Sequence, residues 1–286
     1  MILGIVEIKA KSALHKLKRR SLPYKYDLNV YRGCSHGCKY CYAESSHKYL
    51  TKKNFKKDIY VKSNIIEILE RELSSPNWNN DIINIGGVCD SYQNIEKDYQ
   101  LMREVLKLMI KYKNPVIIST KSNLVLRDLD LIDKLANLTY VNIAMCITSS
   151  NSNVSKRVEP GASLPKERYK ALCEISKSKA FTGFHLMPIL PFLADDKDCL
   201  ESLVKWASQA KVDYMLTGML YLTGGIKKRY LSFIKDTYPE YFELYSTLYP
   251  KGGANKDYKS KIHNFLKSMR NKYNVNNSYS KFLPKN

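Results

Sequence analysis

YRGCSHGCKYCYA, residues 31–43, holds three of the chain's seven cysteines, Cys34, Cys38 and Cys41, in the spacing C-x3-C-x2-C. Thiolates this close suit a metal or an iron-sulfur cluster better than a disulfide, because they converge only where the backbone between them wraps a common centre. No fourth cysteine lies at local spacing, so a 4Fe-4S cluster held here keeps one iron open to a substrate or cofactor. Electron-transfer clusters are usually closed by four cysteines. The alternative is a zinc site completed by His36 or His47.

Working outward, residues 27–32 (DLNVYR) read as a strand feeding the cysteine loop, and 42–53 as a helix leaving it. Upstream lie a short strand near 4–8 and the basic run 16–20. Downstream, Ile65, Ile68, Leu69 and Leu73 recur at helical spacing in a helix at 64–73, before the apolar run 81–87 (DIINIGG) ends in two glycines. The alternation then continues: helix 96–112, strand 116–120, helix 128–137, strand 140–147, helix 165–179, strand 183–190, helix 199–210 and strand 214–219. Helices are expected at 227–237, 241–249 and 257–273. Six strand-helix units predict a parallel sheet with right-handed crossovers. An open doubly wound sheet satisfies the same pattern, but we expect an α/β partial (β/α)6 TIM-type barrel. The cysteines, glycines, Lys121, Asp90 and Glu159 all follow predicted strands, on what would be the rim where barrel sites assemble. The expected division is a basic N-terminal extension at 1–27, the barrel at 28–225 and a basic helical region at 226–286.

The other cysteines, at 89, 146, 173 and 199, are scattered and the total is odd, unlike the even framework of a secreted disulfide protein. Glu7 and Lys9 interrupt the apolar start, no cleavage site is evident, and no apolar run approaches the roughly 18 residues of a spanning helix. A cytoplasmic protein without membrane attachment is expected. The formal net charge of +20 is concentrated at the ends: residues 1–33 carry eight Lys or Arg against two acids, and 250–286 carry nine against one. Such ends attract an anionic partner, a nucleic acid or an acidic electron-donor protein; a merely solvated basic surface is the alternative.

Tyr40 directly precedes the third cysteine, and five further motifs follow in order: CDSYQNIE at 89–96, STKS at 119–122, RDLDLI at 127–132, EPGA at 159–162 and MPILP at 187–191. Together with the cysteine loop they resemble the radical S-adenosylmethionine (SAM) superfamily, in its spore photoproduct lyase-like branch, over residues 27–222. The resemblance implies a 4Fe-4S cluster on Cys34, Cys38 and Cys41, with SAM on the open iron. One-electron reduction then cleaves SAM to a 5′-deoxyadenosyl radical that abstracts hydrogen from a substrate. It also implies a reduced flavodoxin or ferredoxin-type donor, and DNA lesion repair as the nearest analogous activity.

Carried over residue by residue, Tyr40 and Tyr42 flank the cluster and the adenine, or simply pack beneath the loop. Gly86 and Gly87 let the backbone approach the SAM methionine group. The family's acidic third position here is Val88, with Asp90 two residues on. Lys121 lies where the branch uses a lysine near the SAM carboxylate. Cys89 is the candidate hydrogen donor, although it aligns two positions beyond the family's donor cysteine, which falls opposite Gly87. Cys146 occupies a strand position that often approaches SAM; an inert buried thiol is the other reading. Arg157 and Glu159 sit near the site mouth, to pair with each other or contact substrate. His185 reads as a strand histidine in the core, Asp90, Tyr92 and Glu96 as rim or capping residues, and Cys173 and Cys199 as helix residues without chemistry. Competing functions are a single-cluster modifier of RNA or peptide, a non-catalytic metal-stabilised nucleic-acid-binding protein, and an electron carrier.

Overall fold

The computed structural model describes residues 4–18, 22–49, 54–280 and 283. Its strands are β1 (Gly4–Ile8), β2 (Leu14–Lys16), β3 (Tyr26–Leu28), β4 (Tyr31–Arg32), β5 (Asp58–Lys62), β6 (Ile83–Ile85), β7 (Val116–Thr120), β8 (Val141–Cys146), β9 (Phe181–Ile189) and β10 (Tyr214–Met219). The main sheet runs β10-β9-β8-β7-β6-β3-β2. Its six strands from β3 to β10 are all parallel, and β2 closes one edge antiparallel to β3. β2 and β10 end the sheet unpaired with each other, which leaves the barrel open. This is the expected α/β fold with six parallel strands.

The expected strand at 27–32 is in fact two. β3 belongs to the barrel, whereas β4 pairs antiparallel with β5 in a small sheet of order β1-β5-β4. The helix expected at 42–53 is a 3-10 helix over Tyr42–Tyr49; its last four residues, like residues 19 and 20 of the basic run, lie outside the described residues.

Helices α1 (Ile65–Leu73), α2 (Glu96–Tyr99), α3 (Leu101–Tyr112), α4 (Leu129–Ala136), α5 (Ser152–Val158), α6 (Pro165–Ile175) and α7 (Lys197–Gln209) connect the strands. α8 (Gly224–Thr237), α9 (Phe242–Leu248) and α10 (Lys256–Lys272) follow the last one. The helical period decides the core face: α1 buries Ile65, Ile68, Leu69 and Leu73, each contributing about 1.5–3 kcal/mol of apolar burial. The parallel strands are covered by helices on the outside, so β8 is buried along nearly its whole length. Inside, polar side chains stand beside apolar ones such as Ile117, Met187 and Leu216. Asn84, Ser119, Asn142, His185 and Tyr214 line a cavity of about 220 Å³. There the Tyr214 hydroxyl donates to Asn142 Oδ1 at 2.9 Å and lies 3.3 Å from His185 Nε2.

Candidate functional site

The cysteine loop leaves β4 at the end of the sheet where the parallel strands terminate, and three neighbours hold its backbone. The Cys34 amide donates to the Phe55 carbonyl at 2.9 Å, and the Lys39 amide to the Val158 carbonyl at 2.9 Å. Gln93 grips it twice, accepting from the Ser35 amide at 2.8 Å and donating to the Gly33 carbonyl at 3.1 Å. On the other side stands Gly161 of the EPGA motif. A Cβ there would meet the Ser35 carbonyl oxygen at 2.1 Å, so only glycine lets the two backbones touch. The loop is therefore fixed before any ligand arrives.

All three thiols are free, and burial pushes each of their pKa values up, that of Cys38 to about 12. Among the described residues, no three His, Cys, Asp or Glu side chains already converge as metal ligands. The donor chemistry nevertheless fits an iron-sulfur cluster: three soft sulfurs on one clamped loop, without a disulfide to occupy them. Neither histidine of the zinc alternative turns to the thiols. His36 is buried with Nδ1 3.3 Å from Asp90 Oδ2, and His47 is packed edge-on against Phe55 and Tyr60.

Around the loop runs a network of buried charge. The Tyr40 hydroxyl donates to Glu159 Oε1, and Glu159 Oε2 lies 2.7 Å from Arg168 Nη2, with both charged side chains fully buried. Arg168 also donates from Nε to the Ser163 carbonyl at 2.6 Å and from Nη1 to the Cys146 carbonyl at 2.9 Å, tying α6 to the end of β8. Burial opposes the Glu159 carboxylate, but Arg168 foremost, then Lys121 and Tyr40, hold its pKa below the ordinary value. Burial likewise opposes the Lys121 ammonium, yet Cys146, Glu159 and Cys38 around it raise its pKa above that of an ordinary lysine. Its Nζ stands 6.0 Å from the Tyr40 ring centroid. Lys121, Tyr40, Cys38, Cys146 and Glu159 thus form one electrostatic neighbourhood.

The second rim element is the glycine pair. Gly86 has φ +92°, and a Cβ on it would meet the Ser119 carbonyl at 2.8 Å; one on Gly87 would strike the Asp27 carboxylate at 2.7 Å. The Tyr42 hydroxyl donates to the Gly87 carbonyl, although Tyr42 itself is 67% exposed. Cys89 is turned away from solvent: it is 3% exposed, its thiol donates to the Tyr31 carbonyl at 3.1 Å, and burial pushes its pKa up to about 12.

Several rim residues have more definite roles than their positions suggested. Asp90 is a hub, accepting from the Tyr92 amide at 2.9 Å, Thr120 Oγ1 at 2.8 Å and the Lys121 amide at 2.7 Å. Glu96 lies within the core, accepting from Tyr31 at 2.5 Å and Arg127 at 2.6 Å. Arg157 does not pair with Glu159; its guanidinium lies 5.5 Å from the Tyr238 ring centroid. The partner that sequence reasoning missed is Arg168. It shares one helical stripe with Ala171, Leu172 and Ile175, and an arginine on an apolar stripe is the signal that would have found it.

The family model of the Radical SAM superfamily matches residues 28–207, from the last residue of β3 through most of α7 and including all three clustered cysteines. The chain belongs to the Radical SAM superfamily. Its members are enzymes that use a 4Fe-4S cluster with SAM and require an electron donor. Among curated relatives, an uncharacterized protein of Mycobacterium tuberculosis is 30% identical over 250 residues, covering 86% of this chain and 74% of that protein. An uncharacterized protein of Methanocaldococcus jannaschii is 28% identical over 242 residues, 85% of this chain and 86% of its own length. Spore photoproduct lyase complexed with dinucleoside spore photoproduct matches with a TM-score of 0.68 at 13% identity, over 94% of this chain and 79% of that one. At identity that low, the match shows a shared fold alone. No helix among the described residues is long and apolar enough to cross a membrane.

Proposed function

We propose that this radical SAM protein binds one 4Fe-4S cluster through Cys34, Cys38 and Cys41 and acts on an anionic macromolecular substrate, with repair of a DNA lesion the nearest analogy. The observation that carries the reading is the clamped loop of three free thiols beside the half-buried Lys121. When bound, the cluster and SAM supply a one-electron reductive cleavage that yields a 5′-deoxyadenosyl radical. A reduced flavodoxin or ferredoxin-type protein is the proposed donor and the cytoplasm the proposed compartment. The barrel at 28–225 carries the chemistry, flanked by the basic regions 1–27 and 226–286.

Each residue of the neighbourhood has a task in this reading. The Lys121 ammonium keeps its proton and offers a fixed cation to the SAM carboxylate. Glu159, neutralised by Arg168, orients Tyr40 from beneath, and Tyr40 and Tyr42 flank the cluster and adenine. Gly86 and Gly87 would admit the methionine end of SAM, and Cys146, at the end of β8, would approach SAM as well. Cys89 is the proposed hydrogen-atom donor, a role that requires its buried thiol to turn from the Tyr31 carbonyl toward the rim; its raised pKa keeps the S–H bond intact near neutral pH.

The test is anaerobic reconstitution. Wild-type protein is expected to hold about four irons and four sulfides per chain, and to form 5′-deoxyadenosine from SAM with dithionite. C38A is expected to lose both. Zinc in place of iron, or no 5′-deoxyadenosine from iron-loaded protein, would sink the reading. Incubation with ultraviolet-irradiated DNA then tests the substrate: restored thymine supports lesion repair, and untouched photoproduct alongside active SAM cleavage rejects it.

A further inference from the structure

The C-terminal helix carries a second feature, away from the thiols. α10 packs on α7 and buries Ile262, Leu266 and Arg270. Along one flank, Lys259, His263, Lys267 and Arg270 recur at helical spacing and line two cavities that share His263. The first, about 420 Å³, lies between α10 and the ends of β9 and β10 and includes Ile189, Thr217 and Met219. The second, about 590 Å³, continues past Arg270 to Asn274 and Asn276. Neither cavity has an acidic residue in its lining.

Arg270 decides what this groove is for. It is only 6% exposed, yet its one hydrogen bond among the described residues is a weak contact from Nη1 to Thr217 Oγ1 at 3.4 Å, and it has no carboxylate partner there. A guanidinium does not shed its charge, and one that opens onto a cavity with no carboxylate among the described residues is free to meet an anion that binds there. Burial, the sole influence on it, draws its pKa down, the direction of an unsatisfied cation. From Lys259 to Arg270 the cations extend about 16 Å along the helix. A row of that length fits a polyanion better than one small phosphate.

At the upper end, Gly253 is flanked by Lys259 Nζ and by the ring of Tyr221, each 3.7 Å from where its Cβ would be. Tyr221 is 64% exposed and follows β10 at the end of the sheet that also carries Lys121 and Cys146. An aromatic face beside a row of cations is the pairing that holds an unstacked base next to its phosphates.

We infer that the α10 flank is a track for a single nucleic-acid strand: Lys259, Lys267 and Arg270 take successive phosphates, and Tyr221 stacks an unpaired base at the rim. The inference rests on the proposed function only in taking this strand for the substrate. Binding itself needs no cluster.

Fluorescence anisotropy of the full chain with a labelled short single-stranded oligonucleotide, and with the same sequence as a duplex, tests it across a salt series. Removing two phosphate contacts in K259Q/K267Q should weaken single-strand binding about tenfold and flatten the log-log salt slope by about 1.4. K107Q/K177Q removes the same charge from exposed lysines elsewhere and should leave affinity and slope unchanged. Y221A should weaken the single strand about tenfold and abolish its advantage over duplex. Equal losses in both lysine pairs would show diffuse attraction and overturn the track. So would unaltered binding in K259Q/K267Q, and a Y221A protein that still prefers single strands would overturn the stacking role. Iron content and substrate-free 5′-deoxyadenosine formation, which these variants should retain, report separately on the proposed chemistry.

Discussion

Arg168 and Arg270 are both buried guanidiniums on helices outside the sheet, yet one closes on a carboxylate and the other does not. Arg168 meets Glu159 at 2.7 Å and adds two carbonyl acceptors, so its charge is spent inside the protein on fixing Tyr40 under the cysteine loop. Arg270 has, among the described residues, one weak contact to a hydroxyl and opens onto the second of the two cavities. The difference separates an arginine that positions a site from one that awaits a ligand. Burial alone does not distinguish them; the inventory of partners does.

The largest expected effect tests the paired member. R168M leaves Glu159 as an uncompensated buried carboxylate and should cost about 3–5 kcal/mol in urea unfolding. Replacing both partners with apolar residues should recover much of that loss; failure to recover would mean that the carbonyl contacts of Arg168 dominate.

Next comes a half-buried ionisable group that escapes the problem by staying neutral. Burial, helped by Lys121, lowers the pKa of His185 to about 4, against about 6.5 in the unfolded chain. Between these values the unfolded chain takes a proton that the native one refuses. The stabilisation is therefore complete above pH 6.5 and lost as pH falls toward 4, by about 2 kcal/mol for a side chain partly open to its cavity. H185Q should flatten the stability profile in that window relative to wild type, and a parallel profile would contradict this assignment.

R270M is expected to change stability by less than about 1 kcal/mol, because an apolar side chain replaces an unpaired buried charge of similar length. A loss as large as that of R168M would erase the contrast between the two arginines. The smallest effect belongs to K259Q/K267Q, whose thermal stability should stay within about 0.5 kcal/mol of wild type, so that any change in strand binding reflects contact and not folding.

Much of this was legible in the chain itself. Apolar runs and helical spacing locate the six parallel strands, because a sheet covered on its outer face needs continuous apolar residues. The short pieces were not legible. Residues 27–32 read as one extended stretch, but β3 and β4 belong to different sheets, since pairing partners far away in sequence, Ile83–Ile85 and Asp58–Lys62, claim each half. In the EPGA motif, the residues marked the site's neighbourhood without showing that Gly161 exists to let the Ser35 carbonyl pass.

By itself, the sequence determined the chemistry available: three thiols at loop spacing, a lysine after a strand, glycines at a rim and a strongly basic tail. Residue type and local spacing suffice for that, because they set which donors and charges exist and which face of an element they share. Tertiary structure alone decided which charges are satisfied. Glu159 finds Arg168 across α5 and α6, while among the described residues Arg270 finds only Thr217 on β10. Pairing is a matter of distance in space, and its energy appears only when folding removes water from both partners.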